Sequence, residues 1–309
     1  MALASDLVKF DNSMLSSFKA CPRLFYNRYL LGLVPNQTAK ALIFGRCWHS
    51  AMDVVWKNAG KGTSQKDVIE EAFGEFLTIW KEEGLPSDPS DPRLEEFAPR
   101  TPLTAIRMLE AYVQERWNML QESELLACEF PFEIVLDEER GLSYVGRMDK
   151  VVKFNNQRII LEHKTTTLYS IKYGFQSAFV DSFSPNSQVD GYLLAAKRLW
   201  EGRTDVWVDA ALVHKTQLAF KFIPVARSEE LLGEFLKDAK RWTETLLQAN
   251  KEGFFQKNTQ ACTNYGRCSF FDTCRFFAQL PRELPEPPEG FHFELWDPQL
   301  GVVEKQQEG

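Results

Sequence analysis

The sequence predicts an α/β fold: a mixed central sheet flanked by helices, preceded by an N-terminal helical region. Three observations carry this. Apolar residues keep a helical period to about residue 122, and the period then shortens to alternation. Beyond that point strands and helices follow one another in the order three strands, helix, two strands, helix.

Each element has its own signal. Asn12 or Ser13 can cap a helix carrying Met14, Leu15, Phe18 and Leu24, and residues 44–56 have helical spacing. Longer helices follow over 64–83 and 103–122, separated by a Pro- and Asp-rich segment, 85–102, expected to be a surface loop. Residues 127–136, 142–154 and 158–163 are strand-like, with turns at 137–141 and 155–157, so they form a meander. A helix over 185–200, strands over 206–214 and 219–225, and a helix over 228–251 complete the core. The last helix has its apolar stripe at Leu231, Leu232, Phe235, Ala239, Trp242 and Leu246. The Pro-rich, acidic residues from 281 onward are expected to be partly disordered.

Composition bounds the function. A chain of 309 residues, 44% hydrophobic, can bury a real core. No leader-like segment and no run of about 18 apolar residues occurs, so a soluble, cytoplasmic protein without a membrane partner is expected. The net charge of −7 argues against a polyphosphate ligand until it is located: seven acids against Lys305 follow position 282, which leaves the rest of the chain near −1. There is no glycine-rich nucleotide loop, so ATP-driven unwinding would have to come from a partner.

The chemistry sits on two strands. Asp149 lies near the end of one, in Gly146-Arg147-Met148-Asp149, and the next ends in Leu161-Glu162-His163-Lys164. Adjacent strands lie about 4.8 Å apart, so Asp149 and Glu162 can share a hard divalent cation such as Mg²⁺. Glu162 and Lys164 are two residues apart and face the same way, while His163 faces the other. A cation between two carboxylates polarises a phosphate and acidifies water, and a neighbouring ammonium positions that water or stabilises developing charge. As spacing alone, Glu-x-Lys is more often a solvated ion pair. Its setting on apolar strands, where unpaired acids are costly, raises its weight.

This pair of motifs resembles that of the PD-(D/E)XK superfamily of nucleases, in its RecB-like branch. Gly45-Arg46-Cys47-Trp48-His49 resembles the branch's G-x-x-x-H element, and Gln188-Val189-Asp190-Gly191-Tyr192 its Q-x-x-x-Y element, all in the family's order. The resemblance implies a restriction-endonuclease-like core. It implies that His49, Asp149 and Glu162, with the backbone carbonyl of His163, bind Mg²⁺ or Mn²⁺, that Lys164 acts on the water, and that Gln188 and Tyr192 face the active site or the DNA. Without it, His49 would read as a half-buried helix histidine, and Gln188 and Tyr192 as a capping and packing pair.

Six cysteines without a secretion signal suggest thiols or metal ligands. Cys262, Cys268 and Cys274 are spaced C-x5-C-x5-C. The resemblance supplies Cys21 as a fourth ligand and a 4Fe-4S cluster clasping the two ends of the chain. The first x5 interval departs from the x2 commoner in that family, and tetrahedral Zn²⁺ stays open as the alternative. Cys47 and Cys128 read as packing residues. Arg23, Arg28, Lys40, Arg46, Lys153, Lys164, Lys172 and Lys215 flank the motifs as candidate phosphate contacts, and Phe25 is a candidate for stacking on bases.

The expected plan is a helical region (1–122) carrying Cys21 and His49, a nuclease core (123–252), an iron-sulfur segment (253–280) and an acidic tail (281–309), integrated as one domain. The expected activity is a metal-dependent exonuclease on single-stranded DNA ends, in recombination, repair or end processing. It could be encoded by a phage and could work with a helicase or recombination partner. The alternatives are a non-catalytic DNA-binding module on the same fold and a flap or duplex endonuclease.

Overall fold

The structure, a computed structural model, describes residues 7–303 except 61, 265 and 300, and only the backbone of 301–303. The chain opens with strand β1 (Lys9–Phe10), helices α1 (Asn12–Ala20) and α2 (Pro22–Phe25), a π-helical turn (Tyr26–Leu30) and strand β2 (Leu33–Pro35). Helices α3 (Lys40–Asn58), α4 (Gln65–Glu82) and α5 (Pro102–Glu122) follow. Next come strands β3 (Glu124–Asp137), β4 (Leu142–Phe154) and β5 (Gln157–Thr166), and a hairpin of β6 (Tyr169–Ser170) and β7 (Gly174–Phe175). Helices α6 (Ser177–Asp181) and α7 (Ser187–Leu199), strands β8 (Thr204–Leu212) and β9 (Phe220–Val225) and helix α8 (Glu229–Glu252) lead to α9 (Phe271–Phe276) and the short strands β10 (Phe291–Phe293), β11 (Leu295–Asp297) and β12 (Gly301–Val303). The chain divides into two compact units, both discontinuous in sequence.

One unit comprises Thr38–Phe130 and Met148–Arg227. Its sheet is mixed: β4 runs antiparallel to β5 (Lys150 opposite Leu161), β5 parallel to β8 (Glu162 opposite Val208), and β8 antiparallel to β9. β5 is the buried centre, and Ile159, Ile160 and Leu161 are enclosed on both faces, as the continuous apolar run of an inner strand requires. The α3 stripe Phe44, Cys47, Trp48, Ala51 and Val55 packs with α4 and α5 into one core. Ser64, Thr101 and Asn186 cap α4, α5 and α7 through their side chains. The segment 85–102, expected to be surface loop, contributes to this core. It holds a 3-10 turn, Pro92–Phe97, in which Leu94 is buried and Phe97 meets Trp80 edge-on at 5.5 Å.

The other unit comprises Met1–Gln37, Pro131–Arg147 and Ser228–Gly309. Here β1 pairs in parallel with the start of β4, Lys9 opposite Ser143. The cap of α1 is Asp11, whose Oδ1 accepts the Met14 N–H at 2.7 Å, one residue earlier than the expected Asn12 or Ser13. That helix stops at Ala20, because Cys21 precedes Pro22 and is held extended (φ −163°, ψ 114°); Leu24 therefore lies on α2. Trp242, expected in the core, is partly exposed beneath the Lys19 ammonium. Within the described residues the acidic segment contains three short strands. β10 pairs antiparallel with β2, Glu294 binds Arg28 at 2.8 Å, and Trp296 donates to Asp11 at 2.6 Å. Residues 304–309, with Glu304 and Glu308, lie outside the described residues.

Candidate active site

Seven of the singled-out residues meet within the first unit, His163 through its backbone. α3 carries His49, whose Nδ1 lies 3.1 Å from Oδ2 of Asp149 on β4. The same oxygen accepts the backbone N–H of His163 at 3.0 Å, which ties Asp149 to the neighbouring strand. On β5, Lys164 Nζ donates to Glu162 Oε1, and Gln188 Nε2 of α7 reaches that oxygen at 3.1 Å. Gln188 also donates to the Tyr192 hydroxyl at 2.9 Å, as residues one helical turn apart can. Glu162 is only 1% exposed, and its other oxygen, Oε2, is buried without a hydrogen-bond partner.

The charges explain one another. Burial pushes Glu162 above the ordinary carboxylate range and Asp149 pushes it further, against the pull of Lys164 and His49. Burial would also raise Asp149, but the charges of His49, Lys150 and Lys164 outweigh it and hold this carboxyl well below the ordinary range. Burial would lower His49 and Lys164. The two carboxylates reverse both shifts, so each cation is held more firmly than in water. Burial, then Glu162 and Asp149, keep the Tyr192 phenol protonated.

A buried carboxylate oxygen without a donor is an acceptor looking for a cation. The donor set around it, one imidazole and two carboxylates, suits Mg²⁺ or Mn²⁺. As they stand, however, the described residues include no group of three or more His, Cys, Asp or Glu side chains set to hold a metal ion. The acids are engaged by His49 and Lys164, and Oε2 of Glu162 is left without a partner.

His163 points the other way, and the residues beneath it had not been singled out. Its Nδ1 is 3.2 Å from Asp209 Oδ2, without the alignment of a full hydrogen bond. The Tyr112 hydroxyl donates to that oxygen at 2.6 Å, and the Trp56 indole donates to Tyr112 at 3.2 Å. Burial, then the charge of Lys150, lowers His163 to about 4, so the ring is neutral at ordinary pH. Lys150 is itself fully buried and pairs with Asp53 at 2.7 Å. The signal for both groups is an ionisable residue inside an apolar strand: Asp209 in Val206-Trp-Val-Asp-Ala-Ala, and Lys150 before Val151-Val152.

Several expected DNA contacts are spent elsewhere. Arg23 is buried and donates to the Phe255 carbonyl, and Arg28, Lys40 and Arg46 pair with Glu294, Glu96 and Glu83. Phe25 is wholly buried against Phe18, Tyr29 and Phe255, so it is a packing residue and no stacking surface.

Cys21, Cys262, Cys268 and Cys274 are half-buried free thiols in the second unit. Burial raises Cys268 and Cys274; the Phe270 N–H pulls Cys268 the other way, Lys257 and Arg23 pull Cys274 the other way, and neighbouring thiols, Cys21 among them, push both up. Asn258 N–H donates to Cys21 Sγ at 3.3 Å, and Cys268 N–H donates to the Cys262 carbonyl at 2.9 Å. They too form no group set to hold a metal as they stand. Cys47 is fully buried, its thiol pushed up to about 12 by burial and then by Glu83, as befits a packing residue.

Comparison with known proteins agrees with this geometry. A solved protein from Eubacterium rectale, provisionally assigned as an exonuclease, superposes with a TM-score of 0.53. The match covers 90% of this chain and 91% of that one; at 13% identity it speaks to the fold. A second solved protein, SSO0001, at 14% identity over 75% of this chain and 95% of its own, has a TM-score of 0.29 and carries no argument. No curated relative matches the sequence. The family model of the PD-(D/E)XK nuclease superfamily matches residues 12–275. A match across most of the sequence, over a mixed sheet bearing Asp149 and Glu162-His163-Lys164, means that this chain belongs to the PD-(D/E)XK nuclease superfamily.

Proposed function

We propose that the chain is a RecB-like DNA exonuclease that hydrolyses phosphodiester bonds at single-stranded ends, in recombination, repair or end processing. The observation that carries the reading is Glu162: a buried carboxylate with one oxygen held by Lys164 and Gln188 and the other without a partner. His49, Asp149 and Glu162, with the His163 carbonyl, are the residues that would hold Mg²⁺ or Mn²⁺. Such a cation supplies charge neutralisation at the phosphate and lowers the pKa of water.

The chain's own groups do the rest. Glu162 and Asp149 favour the ammonium form of Lys164, which orients the attacking water and offsets developing negative charge. Hydrolysis joins a water oxygen to phosphorus and breaks the bond to the leaving sugar oxygen, which takes up a proton. Gln188 fixes Glu162 against Tyr192, keeping the carboxylate aimed while its charge is neutralised. The thiols of Cys21, Cys262, Cys268 and Cys274 are read as ligands of a 4Fe-4S cluster, or of Zn²⁺, that holds the Cys262–Cys274 segment against Cys21.

The test is a strand labelled at its 5′ or 3′ end, incubated with anaerobically purified protein and Mg²⁺ or Mn²⁺ beside Lys164→Ala. Metal-dependent shortening of the wild-type reaction, lost by roughly 10²–10³-fold in the variant, is expected, and the label gives the polarity. A circular single strand cut as fast as a linear one would replace the exonuclease reading with an endonuclease. A protein that binds DNA and cuts none would replace it with a binding module.

A further inference from the structure

Between β5 and α7, which carry Glu162, Lys164, Gln188 and Tyr192, the chain makes the hairpin of β6 and β7, for which the proposed chemistry has no use. We infer that this hairpin is a stacking platform for the bases of the DNA strand whose phosphate is held at Glu162 and Lys164. The inference rests on the nuclease reading above and names how that site takes its substrate.

The hairpin turns its apolar residues in two directions. Tyr169 meets Phe175 edge-on at 5.6 Å, Phe175 stacks on Phe179 at 6.0 Å, and Phe179 meets the buried Phe183 at 5.1 Å. This aromatic ladder stiffens the hairpin from within. At its tip Ile171 is 83% and Tyr173 76% exposed, and Lys172 lies over the Tyr173 ring at 4.9 Å. Large side chains held this far out on a braced hairpin are costly in water and mark a contact surface.

Charge and tether select the occupant. From Lys164 to Val180 the sequence has two lysines and no acid, in a chain where acids outnumber bases by 43 to 36. An aromatic ring with a lysine beside it suits a base and its phosphate, because every base offers a π-face and stacking tolerates any sequence. The hairpin is also fixed at the site's edge. Leu168 N–H donates to Thr166 Oγ1 at the end of β5, and Gln176 N–H closes on the Leu168 carbonyl at 3.1 Å. Tyr173 is nine residues beyond Lys164, which bounds their separation at about 30 Å, within a few nucleotides of the bond to be cut.

The experiment compares binding of a fluorescent oligothymidylate with that of an abasic strand of equal length, with metal chelated so that nothing is cut. The proteins are full-length wild type, Tyr173→Ala and Ile171→Ser. Tyr173→Ala should weaken oligothymidylate binding roughly 5- to 100-fold, with little change on the abasic strand and a smaller loss for Ile171→Ser. Equal losses on both strands would overturn stacking. Unchanged affinity in both variants would also overturn it and turn the surface over to a protein partner. Wild-type cleavage in Mn²⁺ is measured separately. A protein that cuts no DNA yet loses oligothymidylate binding on Tyr173→Ala would refute the nuclease reading and keep the platform.

Discussion

Gly146 opens the Gly146-Arg-Met-Asp149 motif, and its neighbours say why it is glycine. A Cβ at this position would lie 2.6 Å from Cζ and 2.8 Å from Cε1 of Phe132 on the adjacent strand. The ring cannot simply swing away. Phe132 is buried beside Tyr144, with centroids 6.2 Å apart, and Tyr144 in turn meets Phe235 edge-on at 5.5 Å. Gly146→Ala is therefore overpacking against a braced aromatic cluster, which costs about 1–3 kcal/mol. For a chain of 309 residues that lowers the melting temperature by roughly 1.5–5 °C. The check is urea or thermal unfolding of four proteins: wild type, Gly146→Ala, Phe132→Leu and the double variant. Removing the ring should make the alanine nearly harmless, with a coupling of about 0.5–3 kcal/mol. A single variant within about 0.3 kcal/mol of wild type, or strictly additive effects, would refute the steric account.

Three further outcomes follow from the same structure. Metal affinity should fall as pH falls, because His49, raised by Asp149 and Glu162, and then Glu162, raised by burial, take up protons that the metal must displace, whereas Asp149 stays ionised. The slope is at most about tenfold per pH unit for each proton displaced; titration calorimetry with Mn²⁺ giving one affinity at about pH 6 and pH 8 would contradict it. Tyr112→Phe removes the 2.6 Å donor of Asp209 and should cost about 1–3 kcal/mol in chemical denaturation. If the four thiols hold the proposed 4Fe-4S cluster, Cys268→Ala should lose visible absorption and lower stability together, and a colourless wild type carrying zinc would remove iron from the account.

What the sequence made legible is what a short-range period can express. Alternation on one strand put Glu162 and Lys164 on a common face and turned His163 away, and the structure has them so. His49 and Gln188 were another matter. Nothing within ten residues of either points to an acid, and only motif order tied them to Asp149 and Glu162. The contacts beneath the site were illegible for the same reason. Asp209 depends on Tyr112, 97 positions earlier, and an acid in an apolar strand announces that it has a partner without naming it. Arg23 and Arg28 misled because a basic residue near a motif has the same signature whether it meets a phosphate, a carbonyl or a glutamate. Phe25 and the 85–102 segment misled because composition reports polarity and turn chemistry, while burial depends on what arrives from elsewhere.

The two proposed metal sites differ in what they ask of folding. Asp149 and Glu162 are buried side by side, an arrangement whose repulsion and desolvation need compensation before any metal arrives. The chain provides it: His49, Lys150 and Lys164 surround Asp149, and Lys164 and Gln188 hold Glu162. The nuclease unit therefore has a reason to fold empty, and a metal that enters displaces protons from His49 and Glu162, so its binding is tied to proton release. Around the thiols the compensation is slighter: Lys257 and Arg23 favour the ionised form of Cys274 but do not overcome its burial. Ionised together they repel, and burial holds Cys268 and Cys274 protonated. Ligation would remove that repulsion and contribute directly to folding. Chelation should then act differently on the two: stripping Mg²⁺ or Mn²⁺ stops cleavage with little loss of structure, whereas loss of the thiolate-bound metal loosens the Cys21 and Cys262–Cys274 segments first.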